Sequence, residues 1–271
     1  MFVTDPTQAA QTIARGYQFD STALELGTVS VDGQVDSTAK VRIPLAMMNR
    51  HGLVAGATGT GKTKTLQLIA EQLSANGVPV VMADIKGDLS GLSRQGVSND
   101  RITARAAQTG DDWSPTAYPV EFVSLGSKGI GVPVRATITA FGPILLSKVL
   151  GLNDTQESSL GLIFHYADTQ GLALLDLKDL RELLNYLSKN AKDIGAKYGN
   201  VAQATVGSVQ RALLILENQG GAKFFGEPAL DINDLMKTDR DGRGIVNILA
   251  ADKLMNNPRL YATFLLWLLS E

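Results

Sequence analysis

"GATGTGKT", residues Gly56–Thr63, is the stretch on which the reading of this chain turns. It fills every defined position of the phosphate-cradling pattern G-x-x-x-x-G-K-[ST]. Glycines at 56, 59 and 61 let backbone N–H groups turn inward around an anion. The stretch ahead of it, "HGLVA" (51–55), is short and apolar, as a buried parallel strand should be. The stretch behind it carries Leu66, Ile69, Ala70 and Leu73, the spacing of one helix face. Strand, loop and helix in that order set the loop at a helix N-terminus, which adds about half a positive charge. Lys62 is placed to meet the β- and γ-phosphates, and the Thr63 hydroxyl to hold Mg²⁺. The expected nucleotide contacts are Gly56, Ala57, Thr58, Gly59, Thr60, Gly61, Lys62, Thr63 and Lys64. The other reading, a glycine-rich turn that binds nothing, has both the filled pattern and its context against it.

With 271 residues the chain suits one large domain or two small ones. Hydrophobic content of 44% against 19% charged is a globular balance. There is no cysteine, which excludes a disulfide frame and a thiolate metal site. The two histidines, His51 and His165, are far apart and read as ordinary strand-edge or helix residues rather than ligands. The opening "MFVTDPTQAAQ" lacks the basic and apolar regions of a secretory signal. The late apolar run "FLLWLL" is too short to span a bilayer. No membrane association and a cytoplasmic location are therefore expected. A net charge of −2 gives no compositional support for nucleic-acid binding.

Along the chain, Asp5 caps a short helix with Pro6 at its first position, and Gly16 ends it. Residues 24–45 read as a small β unit with a hairpin turn at Asp32-Gly33. A strand at 51–55, a helix at 61–75 and a strand at 78–84 follow. Residues 90–119 read as mixed and end in a loop, "DDWSPTAYP". "VEFVSL" (120–125) and "VPVRATIT" (132–139) read as strands. Three helical faces come next: Leu160, Ile163, Phe164 and Ala167; Leu177, Leu180, Leu184 and Leu187; Val206, Val209, Leu213 and Leu216. "GIVNIL" (244–249) returns to strand, and "NNPRLYATFLLWLLSE" is an apolar helix. The expected fold class is α/β, a mostly parallel phosphate-loop sheet with an inserted helical subdomain and a small N-terminal β unit. The expected divisions are 1–45 for the N-terminal helix and β unit, 46–141 for the first part of the nucleotide core, 142–243 for the helical insertion, and 244–271 for an incomplete return to the core.

Phosphoryl chemistry needs an aspartate near Mg²⁺ and a group that orients water. Asp84 ends the strand after the loop helix, where active groups of such sheets sit. It reads either as a catalytic, metal-side aspartate or as a polar residue opening a turn. Asp88 reads as solvated, and Asp252 is a weaker acid candidate, followed by Lys253 where a glutamate is wanted. Nowhere do four apolar residues lead into Asp-Glu. Arg50 precedes the loop strand, at the end away from its own site. Arg135, Arg211, Arg240, Arg243 and Arg259 are equivalent candidates for a phosphate-facing finger.

"NRHGLVAGATGTGKTKTLQLIAEQLS" followed by "VVMADIKGDLSGL" resembles the HerA/FtsK group of motor ATPases. "VPVRATITAFGPILLSKVLGLNDTQESSL", "SVQRALLILENQGG", "FFGEPALDINDLM" and "GRGIVNILAADKLMNNPRLYATFLLWLLSE" are more specific, and are similar to a bacterial HerA-like helicase group, also called YjgR-like. The resemblance implies a RecA-like sheet, ATP with Mg²⁺, and a homo-oligomeric ring, usually a hexamer. It implies hydrolysis driving DNA through the pore, with a nuclease as a further partner. By family pattern the loop residues carry over as the nucleotide site, and Asp84 matches a recurring acidic position; no DNA contact carries over. The alternatives are a ring ATPase that moves protein or serves conjugation, and a nucleotide-binding module without turnover. The resemblance also implies a further strand ending in Asp-Glu after Glu271. The chain is therefore expected to be an amino-terminal fragment that binds ATP, hydrolyses it poorly, and exposes the Phe264–Leu269 face.

Overall fold

The computed structural model describes residues 5–125, 130–192, 195, 199, 202–251 and 258–271. Helix α1 (Pro6–Arg15) starts as its sequence demands, with the Asp5 carboxylate accepting from the Thr7 N–H at 3.1 Å. Strands β1 (Ala23–Val31) and β2 (Gln34–Pro44) form an antiparallel hairpin. Its turn holds Asp32 at φ 51° and Gly33 at φ 80°, the left-handed pair that matches strand twist. Ala10 and Ala14 of α1 pack on Val29 and Ala39 of the hairpin.

Helix α2 (Lys62–Ala75) and strand β3 (Val80–Asp84) follow the phosphate loop. Helix α3 (Asp100–Thr109) lies inside the stretch whose sequence reads as mixed, ahead of its terminal loop. Its signals are local: the Asn99 side chain caps the Arg101 and Ile102 N–H groups, and Gly110 closes it at φ 68°. Strands β4 (Val120–Leu125) and β5 (Val132–Val134) pair in parallel, with Val123 opposite Val132. Helices α4 (Ile138–Leu150), α5 (Asp154–Thr169), α6 (Leu177–Lys189) and α7 (Gln203–Asn218), then strand β6 (Val246–Ala250) and helix α8 (Pro258–Ser270), complete the order. The four-stranded sheet runs β3-β6-β4-β5. Val80 N donates to Ile245 O at 3.0 Å and Ala251 N to Asp84 O at 2.8 Å. These partners advance together along both strands, as parallel neighbours do.

Three expectations fail. Residues 51–55 are not a strand: they are irregular, join no ladder, and leave Leu53 90% exposed. The stretch carries a glycine at 52 and runs straight into Gly56, and with no neighbouring strand to pair with, nothing holds it extended. The run expected as strand 132–139 stops at Val134, because Thr137 caps α4 by accepting from Ala140 N at 3.1 Å. The buried face of α2 is Gln67, Ala70, Leu73 and Ser74, and Leu66 is exposed. Polar members of that face are satisfied: Ser74 Oγ donates to Gly244 O at 2.6 Å, and the Gln67 amide is used at both ends.

The chain packs as two compact units. The first is Met1–Met82, Asp88–Glu121 and Leu235–Ile248; the second is Ala83–Gly87, Phe122–Asp234 and Leu249–Glu271. In the first, α2 is tied to the hairpin by one side-chain amide. Glu25 N donates to Gln72 Oε1 at 2.7 Å, and Gln72 Nε2 donates to Glu25 O at 2.8 Å. This amide stands where β1 shifts register between Glu25 and Gly27. Lys40 of β2 donates to the carbonyls of Thr109 and Gly110 at the end of α3, and to Asp111 at 2.8 Å. In the second unit, the three expected helical faces meet in one core, with Phe164 only partly buried. Phe141, Phe224, Phe225, Phe264 and Trp267 form its aromatic centre, in which Phe224 and Phe225 lie 4.6 Å apart. Phe264 and Trp267 are thus buried, and only Leu266 and Leu269 of the expected apolar end face are exposed.

Candidate functional site

The loop reaches α2 through two left-handed glycines, Gly59 at φ 82° and Gly61 at φ 96°. Side chains are strained there, so these glycines set the curl of the loop. A Cβ on Gly56 would collide with the Thr60 hydroxyl, so the first glycine is required by close approach. The Thr60 hydroxyl itself donates to Ala57 O at 2.8 Å, which closes the curl. Gly61 caps α2 without a side chain, and the first helical bond runs from Thr65 N to Gly61 O at 3.0 Å. The N–H groups of Lys62, Thr63 and Lys64 precede that bond and are the donors a helix start offers an anion. Lys62 Nζ donates to Ala57 O at 2.7 Å, within the same loop. Thr65 turns its hydroxyl back onto Gly61 O at 3.3 Å, whereas among the described residues the Thr63 hydroxyl makes no such bond. Donors, one ammonium and the Thr63 hydroxyl fit a phosphate chain with a hard cation.

Asp84, the last residue of β3, is 5% exposed. Its Oδ1 accepts from the N–H groups of Lys86 at 3.1 Å and Gly87 at 2.7 Å. The carboxylate therefore organises the turn that leaves the strand, the second of the two roles read from the sequence. Asp88 is exposed, and Asp252 and Lys253 lie outside the described residues. No group of three or more His, Asp or Glu among the described residues forms a cation cage. The finger candidates are mostly occupied. Arg135 donates to Glu227 O at 2.9 Å, Arg211 to Ser208 Oγ at 3.1 Å, and Arg243 pairs with Asp239 at 2.8 Å. Arg50 and Arg240 are exposed, and the Arg259 side chain is outside the described residues.

Sequence reading missed a cleft of about 400 Å³ beside α2, lined by Lys64, Gln67 and Glu71 from the helix and by residues of 88–96 and 112–118. Burial pushes the Glu71 carboxyl above the usual value, with Lys64 pulling the other way. Burial, then the Glu71 charge, raises the Tyr118 phenol, against a smaller opposing effect of Arg243. The signal was present as Lys64, Gln67 and Glu71 on one helix face, but the covering loops carry no periodicity that announces them.

No helix among the described residues is long and apolar enough to cross a membrane. No curated protein matches the sequence significantly. Among solved structures, the bacterial conjugative coupling protein TrwBΔN70 with sulphate is similar at a TM-score of 0.54 and 16% identity, over 96% of this chain and 58% of that one. TrwB with ADP and Mg²⁺ gives 0.53 and 16%, over 95% and 58%. TrwB with the ATP analogue ADPNP gives 0.53 and 17%, over 93% and 57%. At such identity the likeness establishes the fold, an α/β phosphate-loop sheet, and this chain spans less than two thirds of those structures. The helicase HerA-like C-terminal model matches residues 30–271. On that match, over most of its length, this chain belongs to the HerA-like C-terminal helicase family.

Proposed function

We propose that this chain carries the ATP-binding part of a ring-forming motor ATPase that translocates DNA. The carrying observation is the loop itself: left-handed Gly59 and Gly61, uncapped first-turn N–H groups and Lys62, all within one curl. In this reading the N–H groups bind the phosphates, and Lys62 exchanges the Ala57 carbonyl for the β/γ oxygens. Thr63 would hold Mg²⁺, which when bound would neutralise charge developing on the transferred phosphoryl group, and Asp84 keeps the acidic role that the family resemblance implies for it. Family membership supports the motor assignment, and the coupling-protein structures with ADP and Mg²⁺ support the nucleotide and the cation.

DNA as substrate, a hexameric ring and a nuclease partner follow the family resemblance. The test is hydrolysis by the intact protein with and without duplex and single-stranded DNA. Stimulation by DNA, lost in Lys62→Ala, is the expected result. Lys62-dependent turnover indifferent to DNA would move the assignment to a ring that moves protein or serves conjugation. Nucleotide binding without turnover would leave a binding module.

A further inference from the structure

We propose that the cleft beside α2 is the nucleoside subsite, taking the purine base and ribose of the nucleotide whose phosphates the 56–63 loop holds. The inference rests on the nucleotide-binding reading above and assigns residues to the half of the ligand that the loop does not touch. Lys64, which lines the cleft, directly follows Thr63 in the chain. Gln67 and Glu71 continue the same face at steps of three and four residues. Gln67 is five residues beyond Lys62, about 7.5 Å of helical rise. The cleft thus starts where the phosphate-binding N–H groups end. Its volume of about 400 Å³ is that of a small-molecule site.

The walls are fixed to one another. Lys64 Nζ donates to Gln67 Oε1 at 2.9 Å, Gln67 Nε2 donates to Asp88 O at 2.9 Å, and Tyr118 N donates to Leu92 O at 3.0 Å. Trp113 is 39% exposed, and its Cζ2 lies 3.4 Å from where a Cβ on Gly96 would sit. The indole therefore lies against the Gly96 backbone, and its exposed part offers the cleft a stacking surface. Every base has a face for such a surface, and purines have the largest.

The polar lining suits a nucleoside and not a phosphodiester. Glu71, Asp88 and Asp112 outnumber Lys64 and Arg94 along the wall. None of these three carboxylates has an ion pair or a side-chain hydrogen bond among the described residues, and Glu71 is half-buried. Acceptor-only groups of this kind call for donors, which ribose hydroxyls and the amino and imino groups of purines supply. The same carboxylates repel a second chain of phosphates.

The test is calorimetry of ATP and of inorganic tripolyphosphate on the wild-type chain and on Trp113→Ala, Trp113→Phe and Lys62→Ala. The expected result is ATP binding at least tenfold tighter than tripolyphosphate. Trp113→Ala should reduce that ratio to below threefold without changing tripolyphosphate affinity, and Trp113→Phe should restore most of it. Trp113→Ala that binds ATP as the wild type does, with Lys62→Ala weakening both ligands, overturns the cleft and leaves the loop assignment standing. Affinities indifferent to Lys62 overturn the loop assignment, and the cleft inference with it. A melting curve of Trp113→Ala matching the wild type excludes misfolding as the cause of a loss.

Discussion

The Lys62 ammonium and the Ala57 carbonyl are joined by a 2.7 Å hydrogen bond inside a single eight-residue curl. Binding a phosphate there is an exchange of acceptors for the lysine, from a neutral carbonyl to an anionic oxygen. The ammonium is charged in both bonds, but only the phosphate oxygen brings an opposite charge, and that added Coulomb attraction favours the exchange. Lys62→Ala should raise the ATP dissociation constant at least tenfold, read by calorimetry. The melting temperature without nucleotide should stay within a few degrees, because the lysine holds only its own loop. Unchanged affinity would remove Lys62 from the site.

Gly59→Ala should weaken nucleotide binding without unfolding the chain. At φ 82° a Cβ costs about 1 kcal/mol of backbone strain, which the loop relieves by changing its curl. Equal ATP affinity in the variant would show that the left-handed turn is not part of the binding geometry.

Asp84→Asn should keep the fold, since the amide oxygen can still accept from Lys86 and Gly87 N–H groups. Asp84→Ala should lose about 1–3 kcal/mol by removing the carboxylate that accepts from these N–H groups at a buried strand end. In the intact protein Asp84→Asn should lower turnover more than ATP affinity. Wild-type turnover with normal folding would make Asp84 a turn residue alone.

Lys40→Met should destabilise the first unit by about 1–2 kcal/mol in urea titrations, through loss of the contacts to Asp111 and two carbonyls. Burial pushes Asp111 up, but hydrogen bonds from Lys40 and Thr109 outweigh it and hold its carboxyl below the usual value. Burial likewise opposes the Lys40 charge, and Asp111 and Glu25 outweigh it and raise its pKa. A depressed acid contributes above its unfolded pKa and loses that contribution as pH falls through the folded one. A raised lysine contributes below its unfolded pKa and loses it as pH rises through the folded one. The difference between wild type and variant should therefore be flat near neutrality, shrink below about pH 4, and shrink again in strong alkali. A difference that persists undiminished at pH 2 would assign the effect to packing.

The elements legible in sequence are those with local punctuation. Asp5-Pro6, Asp32-Gly33 and the leucine spacing of 177–187 each declare their structure within a few residues. Helix α3 was equally punctuated by Asn99 and Gly110, but its weakly apolar interior, "DRITARAAQT", gave no stripe to follow. What stayed illegible depends on distant partners. "HGLVA" looks like a strand, but a strand exists only beside another. Gln67 and Ser74 look like surface residues until Asp88 O and Gly244 O are brought to them. The phosphate loop was legible because its chemistry is carried by consecutive backbone groups; the cleft was not, because three separate segments build it.

The two bonds between Gln72 and the Glu25 backbone make one side chain behave as a borrowed peptide unit of the hairpin. Two opposed bonds on one planar amide resist both translation and rotation, since neither can slip without straining the other. Helix α2, whose first turn carries the N–H groups proposed to face phosphate, is therefore tied to β1 at its other end. Any shift of α2 along its axis must either carry the Glu25 backbone with it or break this pair of bonds. The amide proton of Glu25, about ten helical residues away along α2, becomes a local strain gauge for events at the phosphate end.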